Sequence, residues 1–257
     1  MLVSIALTLA VISMPPQVPQ ATPIQRHTLT LPDGGGLRYA IAIPDGYDGS
    51  REVPLVLALH FGWGEALPPN YGAVFLEILV EPALRELGAI IVAPNCPARS
   101  WVDNRSEAAV LALLDHVRGE YRIDPDRLVV TGFSLGGMGT WYFASRHAEM
   151  FSAAIPMASV PMIAISSEPG SAVQRFTEAG SVEWPPAMLR LPTYVIHSRD
   201  DELISIGPVE AAAAELKALG ADIELLAIDA GIGHHQTPRY VPYLTRTVAW
   251  IREVWAR

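Results

Sequence analysis

The pentapeptide Gly132-Phe133-Ser134-Leu135-Gly136 is the segment whose residue types and spacing most clearly suggest chemistry. It has the form G-x-S-x-G, and it lies between an apolar run at 128–131 and a helix-like stretch. A serine on so tight a strand-to-helix turn needs small neighbours, because a side chain at 132 or 136 would collide with the adjoining strand and helix. Ser134 is therefore the candidate nucleophile; the alternative is a helix N-cap serine flanked by turn glycines.

A serine hydroxyl is a poor nucleophile at neutral pH, so this interpretation requires a histidine base and a carboxylate that orients it. In this type of site the chain order is serine, acid, histidine. Candidates for both follow the serine in that order: Asp200, Asp201 and Glu202 after the apolar run 193–197, then His234 and His235 after the run 223–228. The residues alone leave the choice open within each group.

Acyl transfer also needs hydrogen-bond donors for the oxyanion of the tetrahedral intermediate. The backbone N–H of Leu135, directly after the nucleophile, is one expected donor. The second is expected in the glycine-containing loop 59–64, from Gly62 or Trp63, and we favour Trp63.

Other residues have weaker signals. Trp101 and Trp184 could wall an acyl or aryl pocket or could equally fill the core. His60 and His197 end apolar runs and are expected to orient loops through hydrogen bonds. The sequence lacks metal-ligand spacing and a dinucleotide fingerprint, so we expect no metal site and no cofactor.

The elements that would position these residues alternate along the chain. Stretches 27–31 and 37–43 read as an antiparallel hairpin. Continuous apolar runs, typical of strands buried on both faces of a parallel sheet, follow at 54–60, 89–93, 128–131, 153–157, 193–197 and 223–228. Helical patterns lie between them, one opened by Ser106 as N-cap, and a closing helix is predicted at 240–255. The pattern predicts an α/β fold with about eight strands and a site at their carboxyl ends.

Composition limits the class of protein. The 257 residues are 50% hydrophobic and 18% charged, with a formal charge of −9. Such a chain can bury a sizeable core. The acidic balance argues against binding nucleic acid, because that activity depends on clustered Lys and Arg. A single cysteine, Cys96, forms no intramolecular disulfide.

The N-terminus carries the one targeting signal. Its apolar run 2–14 ends at Pro15-Pro16 and is too short to span a bilayer. The length fits a signal peptide, although no Lys or Arg precedes the run. We therefore expect residues 1–23 to be a signal peptide or a flexible segment, the protein to be secreted or periplasmic, and 24–257 to form one catalytic domain. A cytoplasmic location is the alternative.

The chain resembles α/β-hydrolases from about residue 37 to 257, and more narrowly prolyl-oligopeptidase-type and dienelactone-hydrolase-like esterases. That group includes predicted peptidases, feruloyl esterases and relatives of polyhydroxybutyrate depolymerases. The resemblance rests on the segment I-D-P-D-R-L-V-V-T-G at 123–132, the run G-x-S-x-G-G-x-G-T-W at 132–141 and F-S-A-A-I-P at 151–156. It implies an α/β-hydrolase fold with helices on both faces of a mostly parallel sheet.

The same resemblance selects one acid and one histidine. In such proteins the acid lies four residues after a strand-ending histidine and three before an aliphatic residue, which implies Asp201 between His197 and Ile204. The family's G-x-G-H segment corresponds to His234. One departure is His60-Phe61, where these proteins usually have His-Gly before the oxyanion donor.

Together these observations predict a serine hydrolase that cleaves short-chain or aryl carboxylic esters. Ser134 would attack, His234 would transfer the proton and Asp201 would hold the imidazolium. The expected partner is a small ester, with the oligomeric state left open. A peptidase or amidase of the same fold, or an inactive binding module, is the alternative. The segment 161–188 is too short for a large cap but could form a partial lid through Pro169-Gly170 and Trp184-Pro185-Pro186.

Overall fold

An eight-stranded sheet organises the chain. The computed structural model describes residues 23–62, 69–166 and 172–257. Eight strands form this sheet in the order β1-β2-β4-β3-β5-β6-β9-β10, and β7 pairs with β8 in a separate small sheet. The strands are β1 Ile24–Thr30, β2 Gly36–Ala42, β3 Val53–Leu59, β4 Ile90–Pro94, β5 Ile123–Phe133, β6 Ala153–Met157, β7 Met162–Ala164, β8 Val173–Arg175, β9 Thr193–Ser198 and β10 Ile223–Ile228.

Strand directions agree with the sequence prediction. β1 and β2 form the antiparallel hairpin, and β2 also pairs antiparallel with β4. From β4 to β10 the pairings are parallel. Since parallel strands end at the same edge of a sheet, the loops after β3, β5, β9 and β10 lie together. The predicted α/β class, strand number and mostly parallel sheet are confirmed.

Helices cover both faces because the buried strands are apolar on both sides. Along β3, Val56 and Ala58 join one core cluster, while Leu55, Leu57 and Leu59 join another on the opposite face. This alternation follows from the two-residue period of a strand. The helices are α1 Tyr71–Phe75, α2 Glu81–Leu84, α3 Asn104–Glu120, α4 Leu135–Arg146, α5 Gly207–Ala218 and α6 Val241–Trp255.

Two local predictions need correction. The N-cap of α3 is Asp103 and not Ser106, because the Asp103 carboxylate accepts the backbone N–H groups of Arg105 and Ser106. Ser106 lies inside the helix and donates its hydroxyl to the Ser100 carbonyl at 2.6 Å. The second difference is the length of β5, which begins five residues before the apolar run at 128.

The segment 161–188 packs against the body of the protein. Its described part forms the β7–β8 hairpin, and Phe176, Trp184 and Met188 are buried in a cluster with residues of α4, α5 and β9. Residues 169 and 170 of the predicted lid, and the apolar run 2–14, lie outside the described residues. In the described part of the chain, no helix combines the length and apolar character needed to cross a bilayer.

Candidate active site

Ser134 lies on a strained turn between β5 and α4. Its backbone has φ 56° and ψ −115°, a conformation that side chains rarely adopt. Its N–H donates to the carbonyl of Met157 on the neighbouring strand β6 at 3.0 Å, and its carbonyl accepts the N–H of Met138 in the first turn of α4. The turn is therefore fixed on both sides, with the serine side chain left half-exposed at the end of the sheet.

Two glycines make this turn possible. A Cβ added to Gly132 would overlap the carbonyl oxygen of Gly136 in α4, and a Cβ added to Gly136 would overlap the carbonyl oxygen of Leu59 at the end of β3. These are backbone atoms that cannot move aside cheaply. The steric argument for small residues at 132 and 136 is confirmed, with the helix crowding the first glycine and a strand crowding the second.

The structure brings Ser134, His234 and Asp201 into one hydrogen-bonded line. The Ser134 Oγ lies 2.7 Å from Nε2 of His234, and Nδ1 of His234 lies 2.7 Å from Oδ2 of Asp201. A carboxylate can only accept, so Nδ1 carries the proton. Nε2 of the neutral ring then accepts the serine hydroxyl, which is the tautomer that a general base needs.

Asp201 is held as an anion although it is buried. Burial raises the pKa of its carboxyl group, but the hydrogen bond from His234 and the backbone N–H of Ile204 outweigh burial, and the net pKa is lowered. Oδ1 accepts the N–H groups of Leu203 and Ile204 at 3.0 and 2.7 Å. Oδ1 therefore fixes the loop, while Oδ2 accepts the hydrogen bond from the imidazole.

The neighbouring candidates take other positions. Asp200 and Glu202 accept backbone N–H groups of Gly231 and His234 and not the imidazole. His235 is exposed, and its ring lies edge-on to His234 with 5.6 Å between ring centres. Geometry therefore separates residues that the sequence alone left equivalent.

Two of the oxyanion candidates, Leu135 and Gly62, lie next to each other beside the serine. Leu135 is the first residue of α4, where N–H groups lack acceptors within the helix. Gly62 faces it, since a Cβ on Gly62 would lie 3.7 Å from the Cβ of Leu135. Trp63, which we favoured as second donor, lies outside the described residues, so the choice between Gly62 and Trp63 stays a prediction.

His60 and His197 each fix a loop of the site. Nδ1–H of His60 donates to the Phe61 carbonyl at 2.7 Å, and Nε2 accepts the Cys96 N–H at 3.0 Å. Nε2–H of His197 donates to the Ile204 carbonyl at 2.8 Å and lies 3.7 Å from Oδ2 of Asp201. Burial lowers the pKa of both, to about 4 for His60. Both therefore act as neutral loop anchors.

A cavity of about 460 Å³ opens in front of Ser134. Sequence reasoning missed most of its apolar and aromatic walls: Phe61, Tyr71, Ile78, Phe133, Leu203 and Pro238. One sequence feature could have indicated a wall: Leu203 is a large apolar residue directly after the three acids. In the structure it is 62% exposed. The walls come from the loop after β3, the helical stretch that follows it, the end of β5 and the two segments that carry the acid and the histidine.

The predicted pocket tryptophans lie elsewhere. Trp101 is fully buried in the core and donates its indole N–H to the His60 carbonyl at 2.8 Å. Trp184 is buried with the segment 161–188 and donates to Oε1 of Glu215 at 2.8 Å. Neither side chain lines the cavity. The pocket assignment is corrected in favour of the core alternative, because each indole has an apolar surround and an internal acceptor.

Sequence comparisons find esterases that are similar to part of this chain. The Esterase family matches residues 92–193, a range that includes Ser134 and ends before Asp201 and His234. A probable feruloyl esterase C from Aspergillus terreus is 33% identical over 130 residues, covering 46% of this chain and 44% of that protein. Feruloyl esterase C from Emericella nidulans is 32% identical over 128 residues, with the same coverage. The alignments thus span less than half the length of these relatives.

Solved structures extend the likeness to the whole fold. A ferulic acid esterase superimposes with a TM-score of 0.70 at 18% identity, covering 91% of this chain and 98% of that one. A thermostable esterase superimposes with a TM-score of 0.68 at 23% identity, covering 90% and 62%. The sheet order, the strained serine turn and these matches together show that the chain has the α/β-hydrolase fold and resembles esterases that share it.

Proposed function

We propose that the protein is a serine hydrolase that cleaves carboxylic esters of short acyl or compact aryl groups. The observation that carries the proposal is the line of two 2.7 Å contacts from Ser134 through His234 to Asp201. An ionised Asp201 fixes the tautomer of His234, and that tautomer presents an acceptor to the serine proton.

In the first half-reaction the Ser134 oxygen attacks the ester carbonyl carbon while His234 takes the hydroxyl proton. The carbonyl oxygen becomes an oxyanion, for which the Leu135 N–H and a donor from Gly62 or Trp63 are the proposed partners. Collapse of the tetrahedral species breaks the bond to the alcohol oxygen, and His234 gives its proton to that oxygen. The products are a free alcohol and an acyl group on Ser134.

Water completes the cycle by the same route. His234 removes a proton from the water, whose oxygen attacks the acyl carbon, and the second tetrahedral species releases the Ser134 oxygen with the proton returned by His234. The carboxylic acid leaves and the site is restored. The complete cycle consumes one water per ester cleaved.

Cavity shape supports a small substrate. The space in front of Ser134 is open and has the volume expected for a compact ligand. Selectivity for long acyl chains needs apolar walls that bury the chain, since each buried methylene contributes about 0.8 kcal/mol to binding. The described residues of 161–188 add no such wall, while Phe61 and Tyr71 offer aromatic surface to a ring. The similar proteins include feruloyl esterases, which favours including hydroxycinnamoyl esters among the candidates.

The test is a panel of p-nitrophenyl esters of rising acyl length, run beside feruloyl, polyester and peptide substrates with Ser134→Ala as control. We expect the highest kcat/KM for acetyl to butyryl or compact aryl esters and a decline by octanoyl. A steady rise to palmitoyl would contradict the substrate size. Peptide cleavage without ester cleavage would favour the peptidase alternative, and no turnover on any substrate would favour the binding module.

Export is a separate proposal, supported by the apolar run 2–14 followed by Pro15-Pro16. Expression in a secreting host should give a mature protein that begins between about residues 14 and 22, within the usual length of a signal peptide. Intact-mass measurement decides this point. Protein recovered from the cytoplasm with Met1 retained would contradict export.

A further inference from the structure

We infer that Glu202, with Asp200 beside it, is a positioning residue that holds the backbone of the His234 loop in register with the nucleophile. The inference rests on the proposed function of the same site. It concerns two carboxylates that are not part of the Ser134–His234–Asp201 line, and it explains why three acids stand next to each other at 200–202.

The loop that carries His234 needs an external support. It spans 229–236, has no regular secondary structure, and follows β10, the last strand of the sheet. A strand at the sheet edge has one neighbour only, here β9, with Ser198 paired to Ile228 at the ends of the two strands. Both loops therefore start side by side, so the loop after β9 can brace the loop after β10, whose Ala230 and Gly231 carbonyls also accept hydrogen bonds from Arg239.

All three carboxylates of 200–202 reach across to that loop. Oδ2 of Asp200 accepts the Gly231 N–H at 3.1 Å, and Oε2 of Glu202 accepts the His234 N–H at 2.9 Å. Asp201 accepts Nδ1–H of the His234 ring at 2.7 Å. His234 is thus held twice, by its ring and by its own backbone, through adjacent residues of one loop.

The Glu202 contact fixes a degree of freedom that Asp201 leaves open. With the single hydrogen bond from Nδ1 to Asp201, the imidazole could still rotate about that bond and the loop backbone could still move. A second bond to the N–H of the same residue fixes where the side chain starts, so Nε2 keeps its 2.7 Å distance to the Ser134 oxygen. The hydrogen bond from His234 is also the largest cause that lowers the pKa of Glu202, so the acceptor is an anion at neutral pH.

Glycine at 233 is the complementary requirement. A Cβ on Gly233 would lie 2.8 Å from Oε2 of Glu202, closer than real Cβ contacts. The carboxylate reaches the backbone because residue 233 has no side chain. Gly233→Ala should therefore displace the Glu202 carboxylate without altering any residue of the proposed catalytic line.

The experiment compares Glu202→Ala, Glu202→Gln and Gly233→Ala on p-nitrophenyl acetate, with Glu224→Ala as control. Glu224 is an exposed carboxylate at the start of β10, far from the His234 end of that strand. For Glu202→Ala we expect kcat to fall about tenfold with KM changed less than about twofold, since a small misplacement of a catalytic group lowers turnover and not binding. Glu202→Gln keeps an oxygen acceptor and should retain most of kcat, Gly233→Ala should resemble Glu202→Ala, and Glu224→Ala should equal wild type.

A second readout needs no substrate. The His234 amide should exchange its hydrogen about tenfold faster in Glu202→Ala than in wild type, and at the wild-type rate in Glu202→Gln, because exchange reports local opening. If wild type cleaves no ester, the proposed function fails while exchange still tests the inference. An unchanged exchange rate in Glu202→Ala, an unchanged kcat in an active enzyme, or equal losses in the Ala and Gln variants would overturn it.

Discussion

The centre and the edge of the sheet hold their parts of the site by different means. At the centre, β5 lies between β3 and β6, and the turn at Ser134 is closed by backbone atoms of both neighbours and of α4. At the edge, the loops after β9 and β10 carry Asp201 and His234, and side-chain carboxylates join one loop to the other. Close backbone packing and backbone hydrogen bonds fix the nucleophile, whereas hydrogen bonds to side-chain carboxylates fix the acid and the base.

The centre and the edge should tolerate different kinds of substitution. A turn closed by backbone contacts fails when volume is added, because the neighbouring carbonyls cannot retreat. Loops joined by hydrogen bonds fail when an acceptor is removed, and the loss is graded because each bond contributes separately. Substitutions that add volume should therefore be the most damaging at the centre. Substitutions that remove a hydrogen-bond acceptor should be the most damaging at the edge.

The largest effects separate the adjacent candidates at the edge. Asp201→Asn should lower kcat by about 10⁴, because an amide cannot hold the tautomer that presents a free Nε2 to the serine. His234→Ala should be at least as damaging. Asp200→Asn keeps an acceptor for the Gly231 N–H, and His235→Ala removes an exposed ring, so both should stay within about tenfold of wild type. Steady-state kinetics on one ester measures all four; a reversed ranking in either pair would show that the assignment there is wrong.

At the centre, one added methyl group should destabilise the fold. Gly136→Ala places a Cβ on the carbonyl of Leu59, and we expect a loss of about 3 kcal/mol or more in the free energy of unfolding. Gly119→Ala is the matched control, since residue 119 is exposed in α3 and a Cβ there meets nothing within 4 Å. Gly119→Ala should leave the free energy of unfolding unchanged or raise it by about 1 kcal/mol. Urea denaturation compares them, and equal stabilities would contradict steric closure.

Acid should weaken the centre through His60. Burial lowers the pKa of His60 from 6.5 to about 4. Between those pH values the unfolded chain binds a proton that the folded chain does not, so stability is complete above pH 6.5 and falls as the pH falls to about 4. The loss amounts to about 3 kcal/mol. His60→Gln should be less stable than wild type at pH 7, but its free energy of unfolding should fall by about 3 kcal/mol less over the same pH range. Urea denaturation at several pH values measures both proteins. Parallel plots of stability against pH would contradict a buried neutral His60.

The smallest effect concerns the rim of the cavity. Leu203 is exposed beside the acid loop and lines the cavity, so Leu203→Ala should raise KM for butyryl or aryl esters about three- to tenfold and leave acetyl esters nearly unchanged. Leu219→Ala removes a similarly exposed leucine, 52% accessible, after α5 and outside the cavity. The two KM ratios check the claim. Equal ratios for the two variants would show that Leu203 does not contact the substrate.

Sequence reasoning succeeded where local sterics decide the structure. Gly132 and Gly136 predicted a closed turn around Ser134 because they flank the serine within one pentapeptide, although the carbonyl that crowds Gly136 belongs to Leu59 on β3. Continuous apolar runs likewise predicted the central strands. Their ends were less predictable: β5 begins at Ile123, which pairs with Val53 of β3, and the register shifts before Leu128 pairs with Leu55.

The sequence was less informative where distant residues decide. Asp200, Asp201 and Glu202 are equivalent acids until the β9–β10 register directs each to a different donor. Trp101 and Trp184 lie in segments between strands and helices, and contacts with distant residues, including hydrogen bonds to the His60 carbonyl and the Glu215 carboxylate, hold them in the core. The sequence did not predict the cavity walls, because Phe61, Tyr71 and Leu203 come from three separate segments that only the fold brings together.

The most direct test of the proposed mechanism is labelling with an organophosphonate, followed by intact mass and peptide mapping. We expect one phosphonyl group per chain, attached to Ser134, in wild type and none in Ser134→Ala. Ester turnover in that folded variant should fall by about 10⁴ to 10⁶, as for loss of other triad serines. A label on another serine, or near-normal turnover in Ser134→Ala, would contradict the assignment of Ser134 as nucleophile.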